Sequence, residues 1–343
     1  MVALRLRDPL TAVPGETAPV VWVLHDAKPG MASQALGLAE ATGLPFIEKQ
    51  LAVNPPWAWL PPQLWLAPLR AVSTANGPLQ PPWPDLVLGC GRLSAMPALA
   101  IRRASGGRTF AAQIQDPRVG RNEFDLLFVP EHDRLRGPRT VVTRGAIHRV
   151  TAARLADARR HFPRFAGLPR PILGVLIGGA NRSYRLSLDR LAAIAEAIAE
   201  VLRAGGGSAL VTPSRRTGAA GVALLRESLA GLPAEIWDGS GDNPYYAYLA
   251  TADALLVTAD SVSMVSEAAA TGKPVHILEL AKSRWGGHSK FARFHATMRE
   301  AGITRPFSGR IDSWSYAPLD DTARAGKLLR DQVLAQLAQR RYA

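Results

Sequence analysis

The sequence predicts an α/β protein of two doubly wound domains, each a parallel sheet covered by helices on both faces. Three observations carry this. Short apolar runs alternate with helical patterns through most of the chain, the pattern of strands buried on both sides. The series runs twice, pausing between Val150 and Arg170. At 343 residues the chain is long enough for two domains of ordinary size.

Val20–His25 reads as the first strand and Met31–Thr42 as a helix closed by Gly43. Phe46–Gln50 is a further strand. A proline- and tryptophan-rich excursion follows, and Asp85–Leu88 resumes the series. Gly89-Cys90-Gly91-Arg92 then opens a helix near Ser94–Arg103, and Thr109–Ile114 and Asp125–Val129 are strands. The second series has strands at Ile172–Ile177, Ser208–Val211, Glu235–Trp237, Ala254–Val257 and Val275–Leu278. Its helices are expected at Leu188–Arg203, Thr217–Ala230, Tyr245–Thr251 and about Ser261–Thr271. The domains are accordingly expected at 1–168 and 169–320, with a helix in 321–343 packing back across the junction. A ligand cleft between two such domains is expected outside the carboxyl ends of the strands.

Composition narrows the classes. The chain is 47% hydrophobic and 20% charged, with mean hydropathy near zero, which is globular. No apolar run reaches the ~18 residues needed to span a bilayer. The first twenty residues lack the pattern of a secretion leader. One cysteine, Cys90, excludes a disulfide framework within the chain. A cytoplasmic location is expected. The net charge is +13, and ten arginines against one carboxylate lie between Arg134 and Arg170. Such clustering fits a phosphorylated substrate or an anionic membrane; it also fits an arginine-rich proteome, since Arg outnumbers Lys 35 to 6. Nucleic-acid motifs are absent, so no nucleic-acid partner is expected. No metal-ligand spacing appears among the histidines and carboxylates, and no metal or cofactor is expected.

The segment Ala254–Leu278 carries the most functional information. On its helix Asp260, Ser263 and Glu267 share one face, with Ser261 at the N-terminus. A carboxylate and small hydroxyls beside free helix N–H groups suit a phosphorylated, hydroxyl-rich ligand. The same residues also fit an ordinary helix with Asp260 as its cap. Gly178-Gly179-Ala180-Asn181-Arg182-Ser183-Tyr184-Arg185 follows the strongest strand, with two glycines to expose backbone N–H groups and two arginines to meet an anion. Ser214-Arg215-Arg216 repeats that logic at a neighbouring strand end. In the first half, His25 and Asp26 close the first strand, and Asp116 follows another. These three are the candidate catalytic groups, as proton acceptors; plain turn roles fit them too.

Asn54–Arg70 places Trp57, Trp59 and Trp65 among prolines and leucines. Tryptophan favours the headgroup layer, and joined to the Arg134–Arg170 stretch this predicts attachment to an anionic leaflet. A tryptophan-rich loop packed on its own domain is the other reading.

Several segments together resemble the mitochondrial fission (elongated-mitochondria) family. They are His25-Asp26-x-Lys28-Pro29-Gly30, Ile177-Gly178-Gly179, Thr212–Gly218, Gly241–Tyr245 and Val257–Ala268. More loosely, Ser266-Glu267 followed by Gly272-Lys273-Pro274 is similar to the donor-binding segment of GT-B glycosyltransferases. That resemblance implies two Rossmann-like domains and gives Glu267 the donor ribose. The leading reading is a metal-independent GT-B glycosyltransferase, peripheral to the inner membrane, using a nucleotide-diphosphate sugar on a lipid-linked or membrane-associated acceptor. The donor is expected on Gly178, Gly179, Arg182, Ser214, Arg215, Asp260, Ser261, Ser263 and Glu267, with Asp26 or Asp116 as base. A non-catalytic membrane- or partner-binding protein and a nucleotide-sugar epimerase are the alternatives.

Overall fold

The computed structural model describes residues 18–284 and 288–341; most of the N-terminal stretch read for a secretion leader lies outside them. The described chain divides into two compact units. One runs to Thr143 and takes in Ile147–Arg149 and the segment from Asp321 onward; the other comprises Arg144–Ala146 and Val150–Asp320.

The first unit holds β1 (Val21–Asp26), α1 (Pro29–Thr42), β2 (Phe46–Val53), β3 (Val72–Thr74), β4 (Leu86–Cys90), α2 (Arg92–Ala104), β5 (Phe110–Ile114), β6 (Leu126–Pro130) and β7 (Thr140–Thr143). Its sheet runs β3-β2-β1-β4-β5-β6-β7, parallel throughout except for β2–β3. β4 and β5 are buried along their whole length, which is why they read as unbroken apolar runs. α1 starts on Pro29, where a missing N–H costs nothing, and stops at Gly43 with φ 69°.

The second unit holds α3 (Ala152–His161), β8 (Ile172–Ile177), β9 (Tyr184–Arg185), α4 (Leu188–Gly205), β10 (Ser208–Pro213), α5 (Gly218–Ser228), β11 (Ala234–Ile236), α6 (Tyr245–Thr251), β12 (Ala254–Thr258), α7 (Val262–Ala269), β13 (Val275–Leu278), β14 (Ala281–Lys282), α8 (His288–Glu300) and β15 (Thr304–Pro306). Six strands pair in parallel in the order β11-β10-β8-β12-β13-β15. β9 and β14 form a separate antiparallel pair. The last helix, α9 (Asp321–Arg341), belongs to the first unit, where Ala325, Leu329 and Val333 join Leu38 and Leu86 in the core.

The division falls near Val150, not at residue 168. α3 and the turn after it pack on α6, and Phe165 is buried against Tyr248 with ring centres 5.2 Å apart. That apolar contact outweighs the pause in the strand pattern.

The tryptophan-rich excursion is also corrected. Trp65 is 3% exposed, and its Nε1 donates to the carbonyls of Trp57 (3.1 Å) and Leu60 (3.2 Å). Trp57 is half-buried, so the three tryptophans do not share one exposed face. The arginines of 134–170 are divided between the units, and Arg149, Arg160, Arg164 and Arg170 pair with Glu40, Asp157, Glu235 and Asp253. Among the described residues no helix is long and apolar enough to cross a membrane.

Candidate functional site

Parallel strands deliver the loops that follow them to one sheet edge. In the second unit β10, β8 and β12 are adjacent, with Pro213 level with Ile177 and Val257 with Leu176. The loops beginning at Gly178, Ser214 and Ala259 therefore emerge side by side.

A dense polar clamp joins them. The Gly178 N–H donates to Thr258 Oγ1 (2.8 Å), and the Gly178 carbonyl accepts from Ser214 Oγ (2.9 Å) and Thr217 Oγ1 (2.6 Å). The Gly179 N–H donates to Asp260 Oδ2 (3.1 Å), which also meets Arg216 Nη2 at 2.7 Å. Arg216 Nη1 donates to the Gly179 carbonyl (3.1 Å), and Asn181 Nδ2 to the Asp260 carbonyl (3.0 Å). A Cβ on Gly178 would strike the Asp260 carboxylate, and one on Gly179 the Arg216 backbone. Only glycine fits at either place.

This corrects four expected roles. The Gly178 and Gly179 amides are engaged by Thr258 and Asp260, so they do not present N–H groups to an anion. Ser214 is bound into the same clamp. The Asp260 side chain is closed to solvent and turned into the protein. These residues build the frame and hold its loops in place. Among the described residues Asp260 Oδ1 meets no hydrogen-bond partner; the other groups of the clamp have fixed partners, which makes such a frame rigid.

What remains for a ligand is a shorter set. Ser261, not Asp260, caps α7, its Oγ accepting from the Met264 N–H (3.2 Å). Among the described residues the amides of Val262 and Ser263 meet no backbone acceptor, as expected for the first turn of a helix, where the dipole favours an anion. Arg182 and Arg215 are exposed and, among the described residues, have no carboxylate partner. Glu267 is buried one turn further on, and its Oε2 accepts from the Tyr245 hydroxyl at 2.5 Å. Burial, then the Glu267 charge and this hydrogen bond, push the Tyr245 phenol well above its ordinary range. Tyr245 is thus a permanent donor to the carboxylate. Sequence reasoning did not pair Tyr245 with Glu267, because nothing local links two residues 22 positions apart. It also missed Thr258 and Asn181; a hydroxyl at a strand end and an amide after two glycines were the available signals.

The catalytic candidates lie in the first unit. Asp26 ends β1, and its carboxylate meets Lys28 Nζ (2.5 Å) and the Lys28 N–H (3.2 Å). His25 is buried, with Nδ1 2.8 Å from the Asp26 carbonyl and Nε2 2.9 Å from Glu48 Oε1. Both ring nitrogens face acceptors, so neither lone pair is placed to take a substrate proton. Asp116 is gripped by Arg121 through two hydrogen bonds (2.9 and 2.7 Å). Burial works to raise its pKa, but the hydrogen bonds from Arg121 and the Arg118 amide, and the two positive charges, hold it below the ordinary 3.8. That makes it a weak base. Of the three, Asp26 is the one without a buried or bidentate partner. Gln115 and Arg118, on either side of the Asp116-Pro117 pair, have φ of 69° and 64°, a conformation costly for residues with a Cβ.

The family described as mitochondrial fission ELM1 matches residues 29–333. The mitochondrial fission protein ELM1 of Arabidopsis thaliana is 35% identical over 293 residues, covering 77% of this chain and 67% of that protein. An uncharacterized protein of Rickettsia prowazekii, RP120, is 23% identical over 286 residues, covering 72% and 79%. Among solved structures, the UDP-GlcNAc 2-epimerase of Methanocaldococcus jannaschii superposes with a TM-score of 0.55 at 11% identity, covering 92% of this chain and 99% of that one. The UDP-GlcNAc 2-epimerase of Neisseria meningitidis bound to UDP-GlcNAc gives 0.50 at 13%, covering 92% and 100%. At such identities the likeness shows the fold, two Rossmann-like units of the GT-B kind. The match over residues 29–333 and the 35% identity to the Arabidopsis protein place the chain: it belongs to the mitochondrial fission ELM1 family.

Proposed function

We propose that this chain is a metal-independent glycosyltransferase that takes a nucleoside-diphosphate sugar on its second unit. One observation carries the reading: three adjacent strand ends present Arg182, Arg215 and the first turn of α7 around a rigid glycine frame, with a carboxylate one turn on. Diphosphate would lie against the α7 amides and the two arginines, and Glu267 would accept from the ribose hydroxyls. The arginines and amides then stabilise the departing diphosphate, as preorganised charge does for a leaving anion. Asp26 takes the proton of the attacking hydroxyl once Lys28 is displaced. The acceptor we propose is a hydroxyl compound held at a membrane surface. Solved neighbours include an epimerase bound to UDP-GlcNAc, which supports a nucleotide sugar as the ligand class.

Calorimetric titration of UDP-, GDP-, ADP- and CMP-sugars tests the binding step. One of them is expected to bind, and Arg215→Ala and Glu267→Ala should each weaken it by about 1–3 kcal/mol, the scale of a hydrogen bond to a charged group. No binding by any of the four, or unchanged affinity in both variants, overturns the reading. For turnover, Asp26→Asn should lower the rate by about 10²–10⁴ at unchanged donor affinity. A second reading, binding without chemistry, is favoured by the ion pairs that occupy Asp26 and Asp116. A nucleotide sugar that binds and is neither transferred nor epimerised would establish it.

A further inference from the structure

The loop between β2 and β3 leaves the carboxyl edge of the first unit's sheet, and residues 54–69 carry no charged side chain. Trp59 is 81% exposed and Leu66 92%, with Leu60 and Leu64 also exposed. A cluster of large apolar side chains in water has no folding purpose and marks a surface that docks on something apolar. The loop is firmly built. The buried Trp65 indole holds the carbonyls of Trp57 and Leu60, Trp57 and Leu69 pack on the core behind β1 and β4, and the turn at Pro62–Leu64 packs on α2. Its apolar side chains are thus displayed on a fixed scaffold.

Charge indicates the partner. Because β4, β5 and β6 run parallel to β1 and β2, the loops after them leave by the same edge. Arg92 opens α2 at that edge, and the loops after β5 and β6 carry Arg118, Arg134 and Arg136 beside Asp116, Glu123, Glu131 and Asp133; Arg70 closes the apolar loop itself. All five are exposed; the Arg118 charge acts on Asp116, and among the described residues the other four form no ion pair with a carboxylate. An uncharged Trp-Leu tip with arginines along the same edge complements a lipid surface, whose headgroups are anionic and whose acyl boundary is apolar.

We infer that Trp59, Leu60, Leu64 and Leu66 insert into an anionic lipid surface, with Arg70, Arg92, Arg118, Arg134 and Arg136 against its headgroups. The inference goes beyond the nucleotide site and stands whether or not that site binds a sugar nucleotide.

Full-length protein should co-sediment with vesicles of phosphatidylcholine mixed with phosphatidylglycerol, without any nucleotide, and much less with phosphatidylcholine alone. Added salt should release it, since the attraction is screened over a Debye length of about 10 Å at 0.1 M. Trp59→Ser with Leu66→Ser should weaken binding about tenfold or more, with an unchanged circular dichroism spectrum because both side chains are exposed. Lipids brominated in the acyl chain should quench tryptophan fluorescence in the wild type and less in Trp59→Phe. Wild-type protein left in the supernatant at low salt, equal binding by the double variant, or equal quenching in Trp59→Phe would each overturn the inference. So would a dimer in light scattering that the double variant splits while vesicles bind neither form, because the tip would then be a contact between two copies.

Discussion

Asp116 and Glu267 are both carboxylates at strand or helix ends, yet their partners give them opposite uses. Arg121 and the Arg118 amide hold Asp116 ionised, so it serves as an anchor for a strained loop. Its folded pKa lies below 3.8, so its contribution to stability is present above that pH and is lost as pH falls through the folded value. Asp116→Asn should therefore lower stability at pH 7 by about 1 kcal/mol or less, a surface-pair magnitude. The difference from wild type should shrink as acid denaturation is followed below pH 3.8, and a difference that grows in acid would contradict the assignment. Glu267 instead accepts from a buried phenol, that of Tyr245. Tyr245→Phe removes this hydrogen bond to the buried carboxylate and should cost about 1–3 kcal/mol in urea unfolding. An unchanged midpoint would mean that the pair contributes nothing to the fold.

At the scale of elements, close approach of backbones decides where glycine stands. α9 crosses α1 in the first unit, and a Cβ on Gly326 would run into the Ala41 backbone. The apolar side chains beside it, Ala325 and Leu329, reach the core only at that separation. Gly326→Val should push α9 outward and destabilise the first unit by about 1–3 kcal/mol, the range for overpacking. Hydrogen exchange is expected to rise in α9 and α1 and to stay unchanged in the second unit; uniform protection would show that the helix pair tolerates the side chain. Gly178 and Gly179 obey the same rule at β8. Their spacing was legible as a motif, but its purpose, a fit against Asp260 and Arg216, was not.

For the whole molecule, burial sets the alkaline behaviour. Burial pushes up the phenols of Tyr184, Tyr245, Tyr248 and Tyr316, with help from Glu279 and Asp260, Glu267, and Glu235 at the first three. The folded chain keeps protons that the unfolded chain loses near pH 10, so stability should fall as pH rises above 10. Phenolate absorbance should accordingly lag in the native protein and catch up in denaturant; a native titration that matches the denatured one would refute this. The order of strands and helices was readable from sequence, because apolar runs and their Gly or Pro stops are local properties of the chain. β8, α6 and β13 appear at the predicted residues. β3, β7, β9, β14 and β15 were missed, each four residues or fewer, because so short a run carries little periodicity. α8, which the reading also passed over, spans thirteen. Sequence alone also picked out the loops at the carboxyl ends of β8, β10 and β12. Tertiary structure decided what each residue in them does. Asp260 turned inward to hold Gly179 and Arg216, Glu267 met Tyr245, Trp65 was buried while Trp59 was left in water, and α3 joined the second unit through Phe165. Most of these outcomes depend on a partner distant in the chain, and a side chain's neighbours across space leave no trace in its neighbours along it.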